Sequence, residues 1–459
     1  MIFTTTLFYH DFISQLFLFL IKFGTTTCIK LRANDNFMKP FITIISFFIT
    51  TLCFSQVTTT VQTVIVDSGK YEFKLQVKKD TSDYSKAYRI LTNQVKLNPN
   101  NAELRYFLGY TIDKLNSDDG KGMSQLRKEM SIKASEQFEE VNKLEPIYKG
   151  ELFLLDPYAK LTSIWGSLAV AYLNRKLIDS AKWAFSEGKK RGGFTEPILE
   201  FNRQLLNSCD KNSILVTYGD NLTIPIWYLQ TIENYRTDIT IVDANLINTV
   251  WYPKYLKAER NLRMSFSDAI IDTIEYIKWK PQIVSVVNSN DTTQTFNWEL
   301  RPTYMDDYIL KGDRILLDIV QQNFYNRPIY FNFNSDSSYN LFLSPYLIDE
   351  GLVNRLTNKI FNYKEDIVVV SKNLYNYNIA NIKADDIAKS SDAIIVLNNF
   401  RWAFFNNVYH LAIQANYDKA KELIKQMTDN FSKNKLPFTS EEVEKYFAGF
   451  YLQIDKNYR

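Results

Sequence analysis

One run constrains this chain more than any other: Ile214 to Leu246, ILVTYGDNLTIPIWYLQTIENYRTDITIVDANL. Ile214, Leu215 and Val216 form a short apolar run of the kind that fills a strand buried on both faces. Gly219 breaks that strand. Asp220, Asn221 and Thr223 bring the oxygen-bearing side chains that cap a helix start, and Pro225 suits a first helical turn because it needs no amide partner. Ile226, Leu229, Gln230 and Glu233 continue with helical spacing. Arg236-Thr237-Asp238 turns the chain, and Ile239, Ile241 and Val242 make a second strand. Strand, crossover helix and strand predict a parallel, right-handed βαβ unit. That order puts the Gly219-Asp220-Asn221 turn at the carboxyl end of a parallel strand, where open α/β sheets gather their ligands.

The same residues carry a family resemblance. Gly219, Asp220, Asn221, Thr223, Pro225, Trp227, Tyr228, Leu229, Gln230, Glu233, Arg236 and Asp238 follow the run G-D-N-x-T-x-P-x-W-Y-L-Q-x-x-E-x-x-R-x-D, and Asn248, Trp251 and Tyr252 follow it. Arg327-Pro328-Ile329-Tyr330-Phe331 is a second match. Tyr346-Leu347, Glu350-Gly351-Leu352 and Arg355-Leu356 are a weaker third. Together they resemble the soluble domain that follows the transmembrane part of a bacterial family of protein O-mannosyltransferase-like membrane proteins, a domain of unknown function. The resemblance covers roughly residues 207–430, and its first run is too long to arise readily by chance. It implies the accessory part of such a protein, because the membrane-embedded part that carries glycosyl transfer has no match in these residues.

Charge narrows the partners. Fifty-four basic and 51 acidic residues leave +3, without a clustered basic run, so nucleic acid is a poor partner for this surface. Gly219 stands alone and no GxGxxG follows a strand, which disfavours a nucleotide; no cofactor is expected.

Two apolar stretches open the chain. Met38-Lys39 followed by Phe41 to Phe54, with Cys53 and Ser55 before Gln56, reads as a secretory signal cleaved after Ser55. Phe12 to Phe23 is interrupted by Lys22 and is short for a bilayer, so residues 1–37 read as an upstream extension with Met38 as the start; a genuine N-terminal anchor is the alternative. Export to the periplasm or cell envelope follows, with peripheral association with a membrane open. The exported chain then keeps Cys209 and His410 alone of its cysteines and histidines. That excludes an internal disulfide and a His-rich metal site, so no metal is expected.

Residues 56–80 read as a β-hairpin, TVIV and YEFKLQV on either side of Asp67-Ser68-Gly69-Lys70. Residues 81–206 hold a repeat. Ala87, Leu91 and Pro99 recur as Ala134, Phe138 and Pro146 and again as Ala181, Phe185 and Gly193, each set 47 residues after the last. A small residue with a bulky one four later matches the second helix of a tetratricopeptide repeat, with insertions at Ser117 to Met130 and around Glu151 to Leu161. Unrelated helical hairpins are the alternative. Such arrays present a concave face to a protein or peptide.

Residues 207–398 read as a Rossmann-like α/β domain with a parallel sheet core. Beyond the βαβ unit the sequence predicts a helix over Ser267 to Trp279 and a hairpin of Ile283 to Asn288 with Thr295 to Leu300. A helix over Asp313 to Tyr325, a strand Ile329 to Phe333 in the same sheet and a helix from Pro345 or Tyr346 to Leu356 follow. Residues 399–459 read as a helical hairpin and a last helix, Phe438 to Gln453. The class is thus α plus α/β: a helical array, an α/β domain, then helices.

The candidate ligand-binding residues are Asp220, Asn221, Thr223, Trp227, Tyr228, Glu233, Arg236, Trp251 and Tyr252. A carboxylate and an amide suit sugar hydroxyls, and the aromatic rings offer a sugar an apolar face. The competing reading makes Asp220 and Asn221 helix caps, the aromatics core, Glu233 with Arg236 a surface pair, and Arg236 with Asp238 a turn lock. Two functions remain. One is an exported non-catalytic interaction or glycan-recognition module. The other is a stand-alone carbohydrate-active enzyme built on the Asp220-Asn221 loop, with Asp220 as general base or paired with a second carboxylate such as Glu233 or Asp243, although nothing in the sequence identifies that partner.

Overall fold

The computed structural model describes residues 68–79, 82–118, 123–332, 339–363 and 370–458. The expected signal and upstream extension lie outside them.

Helices come first. Residues 68–77 (α1) are helical, which corrects the second strand of the expected hairpin; its first strand lies outside the described residues. Burial explains the difference. Glu72, Phe73 and Gln76 are all buried, a spacing of one, three and four that fits a helix face, and Phe73 packs edge-on against Phe107 and Phe153. Then follow α2 (Ser85–Leu97), α3 (Ala102–Ser117), α4 (Lys128–Leu144), α5 (Pro157–Asn174), α6 (Ile178–Lys190) and α7 (Glu196–Asn207). From α2 to α6 each helix packs on the next. The repeated positions Ala87, Leu91, Ala134, Phe138, Ala181 and Phe185 all lie in the core. Glycines set the spacing between helices: a Cβ on Gly109 would lie 2.6 Å from Phe138, and one on Gly188 would lie 2.5 Å from Trp165.

The βαβ unit follows: β1 (Ile214–Thr217), α8 (Asp220–Ile232) and β2 (Thr240–Asp243), with Ile214 opposite Thr240 in a parallel pair. Next come α9 (Trp251–Arg260), α10 (Asp268–Thr273), β3 (Ile277–Lys278), β4 (Gln282–Val287), β5 (Thr295–Leu300), β6 (Tyr308–Ile309), α11 (Lys311–Asn323), β7 (Ile329–Asn332), β8 (Leu347–Asp349) and β9 (Val353–Leu356). The main sheet runs β2-β1-β7-β9-β8. β7 joins β1 in parallel, while β9 runs antiparallel to β7 and to β8. The sheet is therefore mixed, not parallel throughout.

Of two expected helices, one is cut short and the other is a strand hairpin. Ser267 caps only the short α10, and the chain is already extended at Ile274 before pairing as β3. In the stretch from Tyr346 to Leu356, Gly351 takes φ +95 and folds β8 back against β9. Helices close the chain: α12 (Ala384–Ala388), α13 (Ser391–Ile413), α14 (Tyr417–Asn430) and α15 (Glu441–Tyr458). α13 starts at Ser391, eight residues before the boundary expected at residue 399, and packs on α7 and α14.

Candidate functional site

In the order β2-β1-β7 the chain leaves β1 toward one neighbour and returns on the other side, which makes the carboxyl ends of β1 and β7 a switch point. Thr217 ends β1, Asp243 ends β2 and Asn332 ends β7. Gly219 carries the chain out of β1 at φ +92, and a Cβ there would meet nothing within 4 Å, so the turn faces open space.

Asp220 begins α8 on this rim. It is exposed and accepts a hydrogen bond from Ser163 Oγ of α5 at 2.8 Å. Gly219, not Asp220, is the N-cap, and no side chain caps the helix. Pro225 consequently sits inside the helix and not in its first turn. A proline there cannot donate to the Asn221 carbonyl four residues back. Asn202 Nδ2 of α7 donates to that carbonyl instead, at 3.1 Å. The Asn221 side chain turns away from solvent and donates to Asp392 Oδ1 at 2.9 Å.

Beneath the rim lies a closed polar cluster. Thr223 Oγ1 meets Thr217 Oγ1 at 2.9 Å and donates to Asp243 Oδ2 at 2.5 Å. The other oxygen of Asp243 accepts from the backbone amides of Asn245 and Leu246. Burial, with the charge of Asp220 as a smaller contribution, pushes the Asp243 carboxyl up to about 6. Its hydrogen bonds fix the exit from β2.

The proposed aromatic platform is not where the sequence put it. Trp227 and Tyr228 are buried on α8, Tyr228 stacked on Phe194 at 4.6 Å. Tyr252 is wholly buried and donates to the Ile241 carbonyl at 2.8 Å, with Trp227 and Trp251 packed against its ring. Glu233 pairs with Arg203 at 3.0 Å. Arg236 donates to the carbonyls of Leu206, Cys209 and Asp210 and to the Asp238 carboxylate, which makes it a lock between α7 and the α8–β2 turn. Of the expected ligand residues, Asp220 is thus the one whose side chain is left exposed at the rim, with Asn221 beside it turned inward.

The ring pair at the rim is Tyr218 with Tyr339. Tyr218 follows β1, Tyr339 follows β7, and their half-buried rings stack at 5.1 Å and 12°. Tyr218 directly precedes the Gly219 run, two residues before Asp220; nothing in the sequence links Tyr339 to it. Behind the rim, Asp156 and Asp392 join the N-termini of α5 and α13, and Asp156-Pro157, a cap followed by a first-turn proline, was a legible start signal. Among the described residues no three His, Cys, Asp or Glu side chains gather as a metal-binding group.

Residues 198–282 and 271–372 match the family model of TMEM260-associated domain 2. The site lies inside this match. That domain is tied to a mannosyltransferase-like membrane protein family, so the match supports the resemblance carried by the Gly219 to Asp238 run. The matched stretch holds every strand of the main sheet; the helices before α7 and those after α12 begins fall outside it. No curated protein and no solved structure matches the chain.

Proposed function

We propose that this chain is an exported, non-catalytic module of the cell envelope that recognises a glycan at the Tyr218–Asp220 rim. The observation that carries the reading is the stacked Tyr218–Tyr339 pair beside the exposed Asp220 carboxylate on an open glycine turn. Aromatic faces hold the C–H faces of sugars, and a carboxylate accepts from their hydroxyls. Asp243, the neighbouring carboxylate, is fully engaged by Thr223 and two amides, which favours binding over acid–base turnover.

In this reading the upstream helices are a divergent tetratricopeptide array that holds a protein or peptide, and the α/β domain is a Rossmann-like unit that holds the ligand. The signal at residues 38–55 exports the chain. Among the described residues no helix is long and apolar enough to cross a membrane. In this reading any association with a bilayer is peripheral.

Glycan-array binding of the purified chain, followed by calorimetry with the best binder, tests the reading. Tyr218→Ala and Asp220→Ala are each expected to weaken binding by about tenfold, the scale of one lost stacking or charge-assisted contact. Binding unchanged in both variants would remove the site. A second reading, a carbohydrate-active enzyme, draws on the raised Asp243 carboxyl lying beneath the exposed Asp220 carboxyl, two acidic groups in different surroundings. Release of sugar from glycosides or lipid-linked donors, abolished by Asp220→Ala in a folded variant, would establish it.

A further inference from the structure

One strand edge in this fold is open. The Asn288 amide donates to the Gln294 carbonyl at 3.0 Å, and the register of β4 on β5 continues from there. Gln282, Val284 and Val286 therefore bond to β5, while the backbone groups of Ile283, Ser285 and Val287 turn away from it. Two contacts from outside the hairpin agree with that alternation. Gln321 Nε2 donates to the Ser285 carbonyl at 2.9 Å, and the Tyr346 hydroxyl donates at 3.0 Å to the carbonyl of Asn297, the residue opposite Ser285. Apart from the Ser285 carbonyl, the outward amides and carbonyls of Ile283, Ser285 and Val287 have no partner among the described residues.

Other edges carry a tyrosine. The Tyr252 hydroxyl donates to the Ile241 carbonyl on the edge strand β2, the Tyr363 hydroxyl accepts from the Asp349 amide on the edge strand β8, and Tyr346 serves the outer side of β5. β4 also lacks the devices that blunt an edge. From Gln282 to Val287 it holds no charge and no proline, and Pro281 stands just ahead of the row. Its outer side chains include Ile283, 65% exposed, and Val287, 49% exposed. A recess of about 320 Å³ between Ser285, Val287 and Ser289 on one side and Gln321 and Gln322 on the other leaves space beside the strand.

An open edge accepts one more strand, and β4 matches itself in that role. Laid antiparallel about Ser285, a second β4 sets Ile283 against Val287, Ser285 against Ser285 and Val287 against Ile283. In all three pairs both residues turn their backbone groups toward the new neighbour, and the exposed apolar side chains meet across the strands. The ends agree in charge. Lys278 and Lys280 precede the strand and Asp291 lies in the turn after it, so opposite signs come together only in the antiparallel sense. We propose that β4 docks a second copy of this chain, the two hairpins joining as one four-stranded sheet in the order β5-β4-β4-β5. The Ser285 carbonyl exchanges its exposed bond from Gln321 for one from the other copy's amide. The contact is isologous, so it closes at two copies. It does not depend on sugar binding at the Tyr218–Asp220 rim.

Sedimentation equilibrium of the purified chain tests this. A reversible dimer whose share grows with concentration is expected. Ser285→Lys and Ser285→Glu, both at an exposed side chain, each put like charges face to face across the two-fold axis. Each is expected to weaken the dimer about fivefold or more while the protein melts as wild type does. Mixing the two variants is expected to restore association, now between opposite charges. A chain that stays monomeric up to its solubility limit, single variants that dimerise as wild type, or a mixture that associates no better than either variant alone would each overturn the assignment.

Discussion

Asp156 and Asp392 hold each other by exchange. The Asp156 amide donates to Asp392 Oδ2 at 2.7 Å and the Asp392 amide donates to Asp156 Oδ2 at 2.8 Å. Asp156 is the N-cap of α5, and Asp392 lies in the first turn of α13. Each carboxylate therefore meets amides at a helix start, where negative charge is favoured. Asn221 brings the start of α8 to the same point. The helical array, the sheet and the C-terminal helices thus meet at two buried acids, and the rim bearing Asp220 is held from behind.

That arrangement predicts a pH dependence. Burial first, and the charge of Asp156 second, push the Asp392 carboxyl well above the usual carboxylate range. A carboxyl with a raised folded pKa keeps its proton better folded than unfolded. Stability then falls as pH climbs from the ordinary carboxylate range toward neutrality, and levels off above. Asp392→Asn lacks this titration. Its stability relative to wild type, measured by urea unfolding at pH 5 and pH 8, should rise by about 2 kcal/mol across that interval. Asp349 and Asp243, pushed up to about 7 and about 6, titrate in the same window in both proteins and cancel in the difference. Parallel profiles would show that the pair does not carry the charge cost assigned to it.

Gly166 predicts how tightly the array is fastened to the sheet. It lies on α5, and a Cβ there would come 2.1 Å from Ile224 Cγ2 on α8. Both sites are packed, so the neighbour cannot simply swing away. Gly166→Ala is expected to destabilise by about 1–3 kcal/mol, the usual cost of overpacking. Ile224→Ala opens space and destabilises by itself. The double variant should be less destabilised than the sum, with a coupling of about 1 kcal/mol read by urea unfolding in a double-mutant cycle. Strict additivity would show that these helices part freely.

The sequence showed the βαβ unit, the strand that becomes β7 and the helical spacing upstream because each rests on a local period. It did not show which way α8 points. Every residue from Thr223 to Gln230 is buried, so no polar face marks an outside, and Trp227 and Tyr228 read as well for a platform as for a core. Tyr339 reaches Tyr218 only through the pairing of β7 with β1, which no spacing rule encodes. Short stretches misled for a related reason. Leu347 to Leu356 has too few residues for a period of 2 to be told from 3.6, and Gly351 decided the matter as a hairpin turn. Asp220 was legible because a glycine turn at a strand end leaves its successor exposed.

Gly219 itself predicts a backbone cost without a steric one. Its φ of +92 and ψ of 144 lie outside what L side chains adopt readily, while the space around it is open. Gly219→Ala should therefore cost about 1–3 kcal/mol in urea unfolding through strain alone. Gly219→Asn should recover little, because asparagine is tolerated near ψ of about 47° and not in this extended region. Full stability in either variant would mean that the turn relaxes without its glycine.

Arg236 carries the prediction that separates fold from site most cleanly. Its guanidinium serves the Leu206 carbonyl at 2.7 Å, those of Cys209 and Asp210 at 3.1 Å, and the Asp238 carboxylate at 2.9 Å. Leu206 lies in the last turn of α7, where carbonyls have no partner within the helix. Removing the side chain leaves these acceptors together, so Arg236→Ala should lose about 2–4 kcal/mol at pH 7. Arg236→Lys should recover less than half of that, because one ammonium does not reproduce a planar fork spread over three carbonyls and both oxygens of a carboxylate. The hydrogen bond from Arg236 is the main reason the Asp238 carboxyl is held below its usual range. A depressed carboxyl contributes stability that is present above its unfolded pKa and lost as pH falls through the folded value. The penalty of Arg236→Ala, measured by urea unfolding, should accordingly shrink in strongly acidic buffer. Sugar binding at the Tyr218–Asp220 rim should survive in the folded variant; its loss there would place Arg236 in the ligand site after all.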